Sequence, residues 1–231
     1  AGHARFANAL REAGVVAAIV PDLPLEESPI WCESADAAPI ETVMLAAPTA
    51  PDERLPRVVD RARGFVYAVG LLGVTGERSE LATTAVAMAS RLKKITDMPV
   101  LVGVGVSNAE QARQACTVAD GVIQGASVVR RLLDEGADSV ANYVAEVRAA
   151  IDAECQLLSR DPETVTLVTV TKFHPASLVH ELIEAGARDF GESRHQALWD
   201  DFLAHDPELA SLIRGLASQH AFLRGPHLEL A

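Results

Sequence analysis

Three glycine-bearing loops contain the residue types best suited to bind a phosphate group. Their sequences are LLGVTGE (71–77), VGVGVS (102–107) and GVIQGAS (121–127), and short apolar runs precede or open them. Glycine lets the backbone approach a ligand closely, and the N–H groups at a helix N-terminus attract anions. Three such loops after successive strands therefore predict one site for a phosphorylated small molecule.

Two further side chains are candidates for contacts with that ligand. Asp22 lies in IVPDLPLEES (19–28), just after an apolar run, and two prolines stiffen the loop around it. Its carboxylate could accept a hydrogen bond from a substrate, or it could cap a helix or brace the loop. Thr75 adds a hydroxyl group within the first glycine loop.

The elements that must position these loops follow from the alternation of short apolar runs with longer helical patterns. This alternation is typical of strand–helix units in a parallel sheet. It predicts helices at residues 4–13, 53–62, 79–94, 108–117, 127–133 and 138–158, and strands at residues 15–20, 42–46, 65–70, 100–104 and 121–124. Five consecutive units are too few to close an eight-stranded barrel. The fold class is therefore α/β, a partial TIM (β/α)8-type barrel, with a C-terminal βα appendage.

The pattern restarts after residue 158. A strand is predicted at 165–170, followed by further elements at 175–185 (helix), 189–191 (strand), 192–205 (helix) and 207–220 (helix). Residues 221–231 show no clear element. These differences divide the chain into a unit at 1–137 and a second at 138–231, with the boundary inside the long helix near 137–150.

Composition narrows the class of protein further. Hydrophobic residues make up 49% of the chain but aromatic residues only 4%, so the core must be built mainly from Ala, Val, Leu and Ile. The net charge of −12 disfavours a nucleic-acid or anionic-membrane surface. No apolar run approaches the roughly 20 residues that span a bilayer, so we expect a soluble, cytoplasmic protein.

The cysteines and histidines do not indicate a metal site. Cys32, Cys116 and Cys155 are widely spaced, which favours buried thiols over a disulfide or a metal centre. The histidines match no usual ligand spacing.

Four motifs together resemble one known family. FVYAVGLLGVTGERS, PVLVGVGVSNAEQA, ADGVIQGASVV and AIVPDLPLEES are similar to the second half of the tryptophan synthase alpha subunit, and the resemblance covers residues 1–135. It implies a (β/α)8 barrel that acts in tryptophan biosynthesis as a lyase, cleaving indole-3-glycerol phosphate to indole and glyceraldehyde 3-phosphate. It also implies a beta-subunit partner that contains pyridoxal phosphate and receives the indole.

The resemblance assigns roles by position. Tyr67 would line the site, and Asp22 would match the aspartate beside the indole-binding region. Ala126 stands where the family often has serine, so one hydroxyl contact to phosphate would be lost. The backbone donors to the phosphate would be Gly76, Gly105 and Gly125.

The family's catalytic glutamate and its companion aspartate belong to barrel units that have no counterpart in this sequence. Proton transfer by positioned groups contributes about 10²- to 10⁴-fold to rate. The resemblance therefore implies impaired catalysis and assigns no catalytic residue in residues 1–135.

A second resemblance covers the later part of the chain. VTLVTVTKFHPASLV (165–179) and AGARDFGESRHQAL (185–198) are similar to the beginning of the pyridoxal phosphate (PLP) homeostasis proteins, relatives of the alanine racemase barrel. This implies that Lys172 forms a Schiff base with PLP, since a lysine at a buried strand end can become nucleophilic. Ser193 departs from the asparagine common in that family.

Four hypotheses follow for function. The chain is a truncated alpha-type barrel, a PLP-binding protein that uses Lys172, a non-catalytic phosphate-binding or partner-docking module, or a fusion of two incomplete barrels without a selected function. The two later strands could lie beside the open lateral edge of the first five strands. Lys172 would then follow a strand whose carboxyl end lies on the same side of the sheet as the glycine loops. Otherwise the exposed edges predict dimerisation or poor solubility.

Overall fold

A computed structural model describes residues 2–12, 14–70, 83–103, 106–170, 176–184 and 187–191. Its seven strands are all parallel and follow one another across a single sheet in chain order. The strands are β1 (Ala17–Ile19), β2 (Glu41–Ala46), β3 (Val66–Ala68), β4 (Val100–Val102), β5 (Gly121–Gln124), β6 (Thr166–Val170) and β7 (Asp189–Gly191).

Helices alternate with these strands, which confirms the predicted partial barrel with its βα appendage. They are α1 (His3–Glu12), α2 (Pro29–Ala37), α3 (Leu55–Arg61), α4 (Thr83–Leu92), α5 (Ala109–Cys116), α6 (Ala126–Glu135), α7 (Ala137–Leu157) and α8 (Ala176–Glu184). The predicted elements at 192–205 and 207–220, and the tail at 221–231, lie outside the described residues.

Both faces of the sheet are apolar, as a parallel sheet requires. One face carries a cluster built on Val43, Phe65 and Leu101, which we call the inner face. The other face packs against the helices through residues such as Val66 and Val102, both fully buried. Alternation of side chains along each strand separates the two sets.

Helix α2 was not predicted from the sequence. Pro29 suggests a loop in sequence, but it occupies the first helical turn, where its missing N–H group has no helical partner to lose. The helix packs against α1 in a separate apolar cluster, where the rings of Phe6 and Trp31 lie 5.5 Å apart.

Helix α5 begins one residue after the predicted start at residue 108, because Asn108 serves as its cap. Asn108, not Ser107, caps the helix, and its side chain accepts a hydrogen bond from the N–H group of Gln111 at 2.9 Å. The Gln111 side chain in turn accepts one from the Ser107 N–H group at 2.7 Å. The reciprocal bonds satisfy helix-end donors that would otherwise lack partners.

Gly136 separates α6 from α7 and has a φ of +84°, a conformation that side chains rarely tolerate. The proposed boundary between residues 137 and 138 falls one residue later, after the first residue of α7. That division into two units stays a prediction, and the sheet runs across it without interruption because β6 pairs with β5.

Two arginines fasten the segment that leads into β6, Arg160 to the start of β5 and Arg148 from α7. Arg160 donates to the Ala119 carbonyl at 2.8 Å and to the Asp120 carboxylate at 3.0 Å. Arg148 donates to the carbonyls of Val165 and Pro162 at 3.0 and 2.8 Å. The appended strand is therefore held by charged donors on backbone acceptors as well as by its ladder.

Asp120 joins three strands at that end. Its carboxylate also accepts from the Val100 N–H group at 2.8 Å and from Lys93 at 2.9 Å. Gly121, the next residue, lies so close to β6 that a Cβ atom there would be 2.5 Å from the Thr166 carbonyl oxygen. Glycine at this position is what allows the two backbones to approach.

All three cysteines are buried free thiols, as predicted. None of the described helices is long and apolar enough to cross a membrane.

We expect Arg160→Ala to lower the free energy of unfolding by about 2 kcal/mol, because it removes charge-assisted hydrogen bonds at the β5–β6 junction. Urea unfolding monitored by circular dichroism measures the change. Arg57→Ala is the control, since Arg57 is exposed and its ion pair with Glu26 spans 3.4 Å. Its cost should stay below about 0.5 kcal/mol. Equal costs for the two variants would show that Arg160 does not fasten β6.

Candidate anion site at the carboxyl ends of the strands

The carboxyl ends of β3, β4 and β5 lie side by side at one edge of the sheet. Ala68 pairs with Val102, and Val102 pairs with Val122 in the next strand. Gly103 and Gly125 directly follow β4 and β5. The parallel register therefore brings the second and third glycine loops to the same edge, as the sequence predicts.

Among the described residues, the start of helix α6 is a candidate anion-binding feature at this edge. Gly125 occupies the position before its first residue, and no side chain of the described residues caps the helix. Ala126, the first helical residue, is exposed. The N–H groups of the first turn and the positive end of the helix dipole are therefore available to an anion. By contrast, α5 is capped by Asn108.

Tyr67 reaches across the neighbouring strand end. A Cβ atom built on Gly103 would lie 1.9 Å from the Tyr67 hydroxyl oxygen, so that hydroxyl sits over the Gly103 backbone. Burial raises the pKa of Tyr67 to about 12. The phenol is consequently protonated at neutral pH and can donate a hydrogen bond at this edge.

Asp22 lies in the turn after β1 and is exposed. It does not cap a helix: Pro24 precedes the short 3-10 helix at Leu25–Glu27, and Ser28 precedes α2. The helix-cap alternative for Asp22 is therefore wrong, and its role toward a ligand stays a prediction.

Another acid of the same loop has a structural role that the sequence did not single out. Glu26 accepts a hydrogen bond from Arg54 at 2.7 Å and pairs with Arg57. The hydrogen bond from Arg54 is the main reason why the pKa of Glu26 is lowered. The loop after β1 is thereby tied to the start of α3.

Several predicted site residues lie outside the described residues, namely Thr75, Gly76, Gly105 and Lys172. The structure does locate the strand that precedes Lys172. Val170, the last residue of β6, contacts the Gly125 position, where a Cβ atom would lie 3.2 Å from the Val170 Cβ. The end of β6 therefore adjoins the start of α6.

A buried hydrogen-bond chain beneath this edge was not predicted. Gln124 Nε2 donates to Tyr143 Oη at 2.9 Å, and Tyr143 Oη donates to Ser127 Oγ at 3.1 Å. Ser127 Oγ donates to the Val106 carbonyl at 3.4 Å. We call these four groups the buried polar chain.

One signal for this chain was present in the sequence. Gln124 interrupts an otherwise apolar strand at a position whose neighbours point to the inner face, so its amide must be buried among helices and needs a partner. The identity of that partner was not readable, because Tyr143 lies 19 residues further along on α7.

The described residues contain no group of three or more side chains that could hold a metal ion.

Gly103→Ala should lower the free energy of unfolding by about 1–3 kcal/mol, because the new methyl group overlaps the Tyr67 ring. In a Tyr67→Ala background the same change should cost less than about 0.5 kcal/mol, since the overlapping ring is gone. A double-mutant cycle in urea measures the coupling. Additive costs would contradict the observed contact.

Alkaline titration tests the burial of Tyr67. Its folded pKa of about 12 exceeds the ordinary tyrosine pKa of 10.0, so the protonated phenol stabilises the fold below pH 10, and that stability is lost as the pH rises toward 12. Tyr67→Phe should lose less stability over this interval than the unsubstituted chain. The phenolate absorbance that the substitution removes should titrate near pH 12, and a transition near pH 10 would refute the assignment.

Comparison with known proteins places this geometry in one family. The profile of the family "Tryptophan synthase alpha chain" matches residues 1–157. The tryptophan synthase alpha chain of Streptomyces coelicolor is 45% identical over 138 residues, which cover 60% of this chain and 51% of that protein. That of Synechococcus elongatus is 40% identical over 154 residues, covering 66% and 58%.

Solved structures agree. A tryptophan synthase structure from Mycobacterium tuberculosis superposes with a TM-score of 0.59 at 38% identity, covering 64% of this chain and 56% of that one. A chain of the tryptophan synthase α2β2 complex from Pyrococcus furiosus superposes with a TM-score of 0.56 at 35% identity, and the match covers 65% of this chain and 61% of that one.

The chain spans about half the length of the curated relatives that it matches. The family match ends at residue 157, before β6 and β7. The resemblance of residues 165–198 to the PLP homeostasis proteins therefore stays a prediction. Over residues 1–157, the matching profile and relatives together show that the chain belongs to the tryptophan synthase alpha chain family.

Proposed function

We propose that this chain binds the phosphate end of indole-3-glycerol phosphate, as a tryptophan synthase alpha-type protein. The observation that carries the proposal is the start of α6 after Gly125, which no side chain of the described part of the chain caps and which lies beside the end of β4. A phosphate dianion at that position would receive backbone N–H donors and the positive end of the helix dipole.

The arrangement also supports a division of labour within the ligand site. Backbone groups near Gly125 would hold the phosphate, while the protonated Tyr67 hydroxyl would donate to the glycerol part from the neighbouring strand end. The net charge of −12 does not oppose this, because the anion meets local backbone dipoles rather than the average surface.

Cleavage by the 231-residue chain alone is proposed to be slow. The acid and base carboxylates that the family resemblance implies belong to barrel units that this sequence does not match. Binding groups alone leave out the proton transfers, which contribute about 10²- to 10⁴-fold. We therefore assign this chain the binding half of the reaction.

Position 126 gives a direct test of the phosphate site. Ala126→Ser restores a hydroxyl where the family often has one, and we expect it to tighten binding of sn-glycerol 3-phosphate by about 3- to 10-fold. Ala126→Asp places a carboxylate in the first turn of α6, where it competes with the ligand. It should weaken binding by at least about 10-fold while stabilising the helix by about 0.5 kcal/mol.

Isothermal titration calorimetry measures the affinities, and thermal melts measure stability with and without the ligand. Glycerol without phosphate is the ligand control, and Ala126→Asn controls for the size of the aspartate side chain. Opposite effects of Ser and Asp on affinity support the site. An affinity unchanged by both substitutions would rule out phosphate binding at α6.

A beta-type subunit is the proposed protein partner. The solved Pyrococcus furiosus relative comes from an α2β2 tryptophan synthase complex. The proposal for this chain rests on family membership over residues 1–157. Size-exclusion chromatography with a tryptophan synthase beta subunit tests it, and elution of two separate components at micromolar concentration would count against the pairing.

We infer a second candidate function, covalent attachment of PLP through Lys172. The supporting observation is that β6 pairs with β5 and that its last residue, Val170, lies against Gly125. Lys172 follows Val170 by two residues in the sequence. The α6 N-terminus suits the phosphate of PLP as well as that of a glycerol phosphate. Bound PLP would supply an aldehyde that reacts with an amine, and the protein would supply that amine and the phosphate contacts.

The lysine content makes this second candidate simple to test. The sequence has lysine only at positions 93, 94 and 172. Incubation with PLP, borohydride reduction and peptide mass analysis should place the label on Lys172 and remove it in Lys172→Ala. Lys94 is exposed and is the matched control for non-specific labelling. Equal labelling of Lys94 and Lys172 would sink the PLP hypothesis.

A further inference from the structure

The buried polar chain connects four parts of the molecule that meet below the candidate phosphate site. Gln124 is the last residue of β5, Ser127 is the second residue of α6, and Tyr143 belongs to α7. Val106 lies in the connection from β4 to α5. The buried polar chain therefore links the two glycine-bearing loops that follow β4 and β5.

Because these groups are buried, the loss of one hydrogen-bond partner leaves the other group unsatisfied. Gln124 and Ser127 are each 1% exposed and Tyr143 is 2% exposed, so water cannot replace a lost partner without entering the core. The Tyr143 hydroxyl both accepts from Gln124 and donates to Ser127. Loss of that one oxygen would break two links at once.

The ring of Tyr143 is fixed independently of its hydroxyl. The guanidinium carbon of Arg131, on α6, lies 4.3 Å from the ring centroid, a cation–π contact. Arg131 also pairs with Glu135 at 3.8 Å. Removing only the hydroxyl should thus leave the ring and the α6–α7 packing in place.

We propose that the buried polar chain sets the position of the α6 start relative to the loop after β4, and that Tyr143 is the central positioning residue for phosphate binding. This inference rests on the proposed function. Ser127 follows Ala126 directly, so a shift of its hydroxyl moves the first-turn N–H groups that would face the phosphate. None of the three side chains needs to touch the ligand.

The test compares Tyr143→Phe with a matched removal of a different buried hydroxyl. Thr42 is 1% exposed, and its Oγ1 has no hydrogen-bond partner among the described residues, so Thr42→Val serves as the control. We expect Tyr143→Phe to weaken binding of sn-glycerol 3-phosphate by about 10-fold. Thr42→Val should change the affinity by less than about 2-fold, because no hydrogen bond is lost there.

Affinities are measured by calorimetry well below the melting temperature of each variant, so that a loss of stability alone does not lower the apparent affinity. Ser127→Ala is the second variant, and it should reproduce the loss. The double variant should be little weaker than either single one, because both break the same chain. This non-additivity is a readout that independent structural damage would not give.

Amide hydrogen exchange without ligand separates failure of this inference from failure of the proposed function. Tyr143→Phe should speed exchange at residues 106–108 and 126–128, and Thr42→Val should not. If the unsubstituted chain binds the ligand and Tyr143→Phe binds it equally well, the positioning role is wrong. If the unsubstituted chain binds no phosphate ester, the proposed function fails. In that case, amide exchange at residues 106–108 and 126–128 that is no faster in Tyr143→Phe than in Thr42→Val also overturns the positioning role.

Discussion

Parallel strand pairing is the constraint on which the rest of this structure depends. Because every strand runs in the same direction, all strand ends that lead into helices must meet at one edge of the sheet. The single register from β1 to β7 enforces this across seven strands. The convergence of Tyr67, Gly103 and Gly125 at one edge is a direct result of that pairing and needs no specific contact between the loops.

The two ends of the strands differ in the contacts that their residues make. Where the strands begin, the Asp120 carboxylate accepts hydrogen bonds from Lys93, Arg160 and the Val100 N–H group, and these bonds stabilise the sheet. At the opposite end, no side chain among the described residues caps the start of α6. These stabilising contacts lie at the end of the strands opposite to the proposed phosphate site, so changes at the proposed site leave them intact.

Much of this was readable from the sequence because it depended on local patterns. The strand at Gly121–Gln124 and the short strand at Asp189–Gly191 coincide with the sequence prediction, since apolar runs and turn residues define them locally. Helix α2 was missed because Pro29 has opposite meanings inside a helix and at its first turn. The position of Gly125 at the carboxyl end of β5 could be predicted from its loop. The Gln124–Tyr143–Ser127 contacts could not, because they depend on how α7 packs over β5 and α6.

Gly121 has a consequence for how freely β6 can vary. The close approach of β5 and β6 is set by a missing side chain on β5 and by a backbone carbonyl of Thr166 on β6. Every amino acid has that carbonyl, so the approach at this point depends little on the side chain of residue 166. The rest of β6 has no such freedom, because Leu167 and Thr169 are buried and Val168 packs against the inner-face cluster. The close approach therefore requires glycine at position 121, whereas packing on both faces of the sheet restricts the side chains of β6.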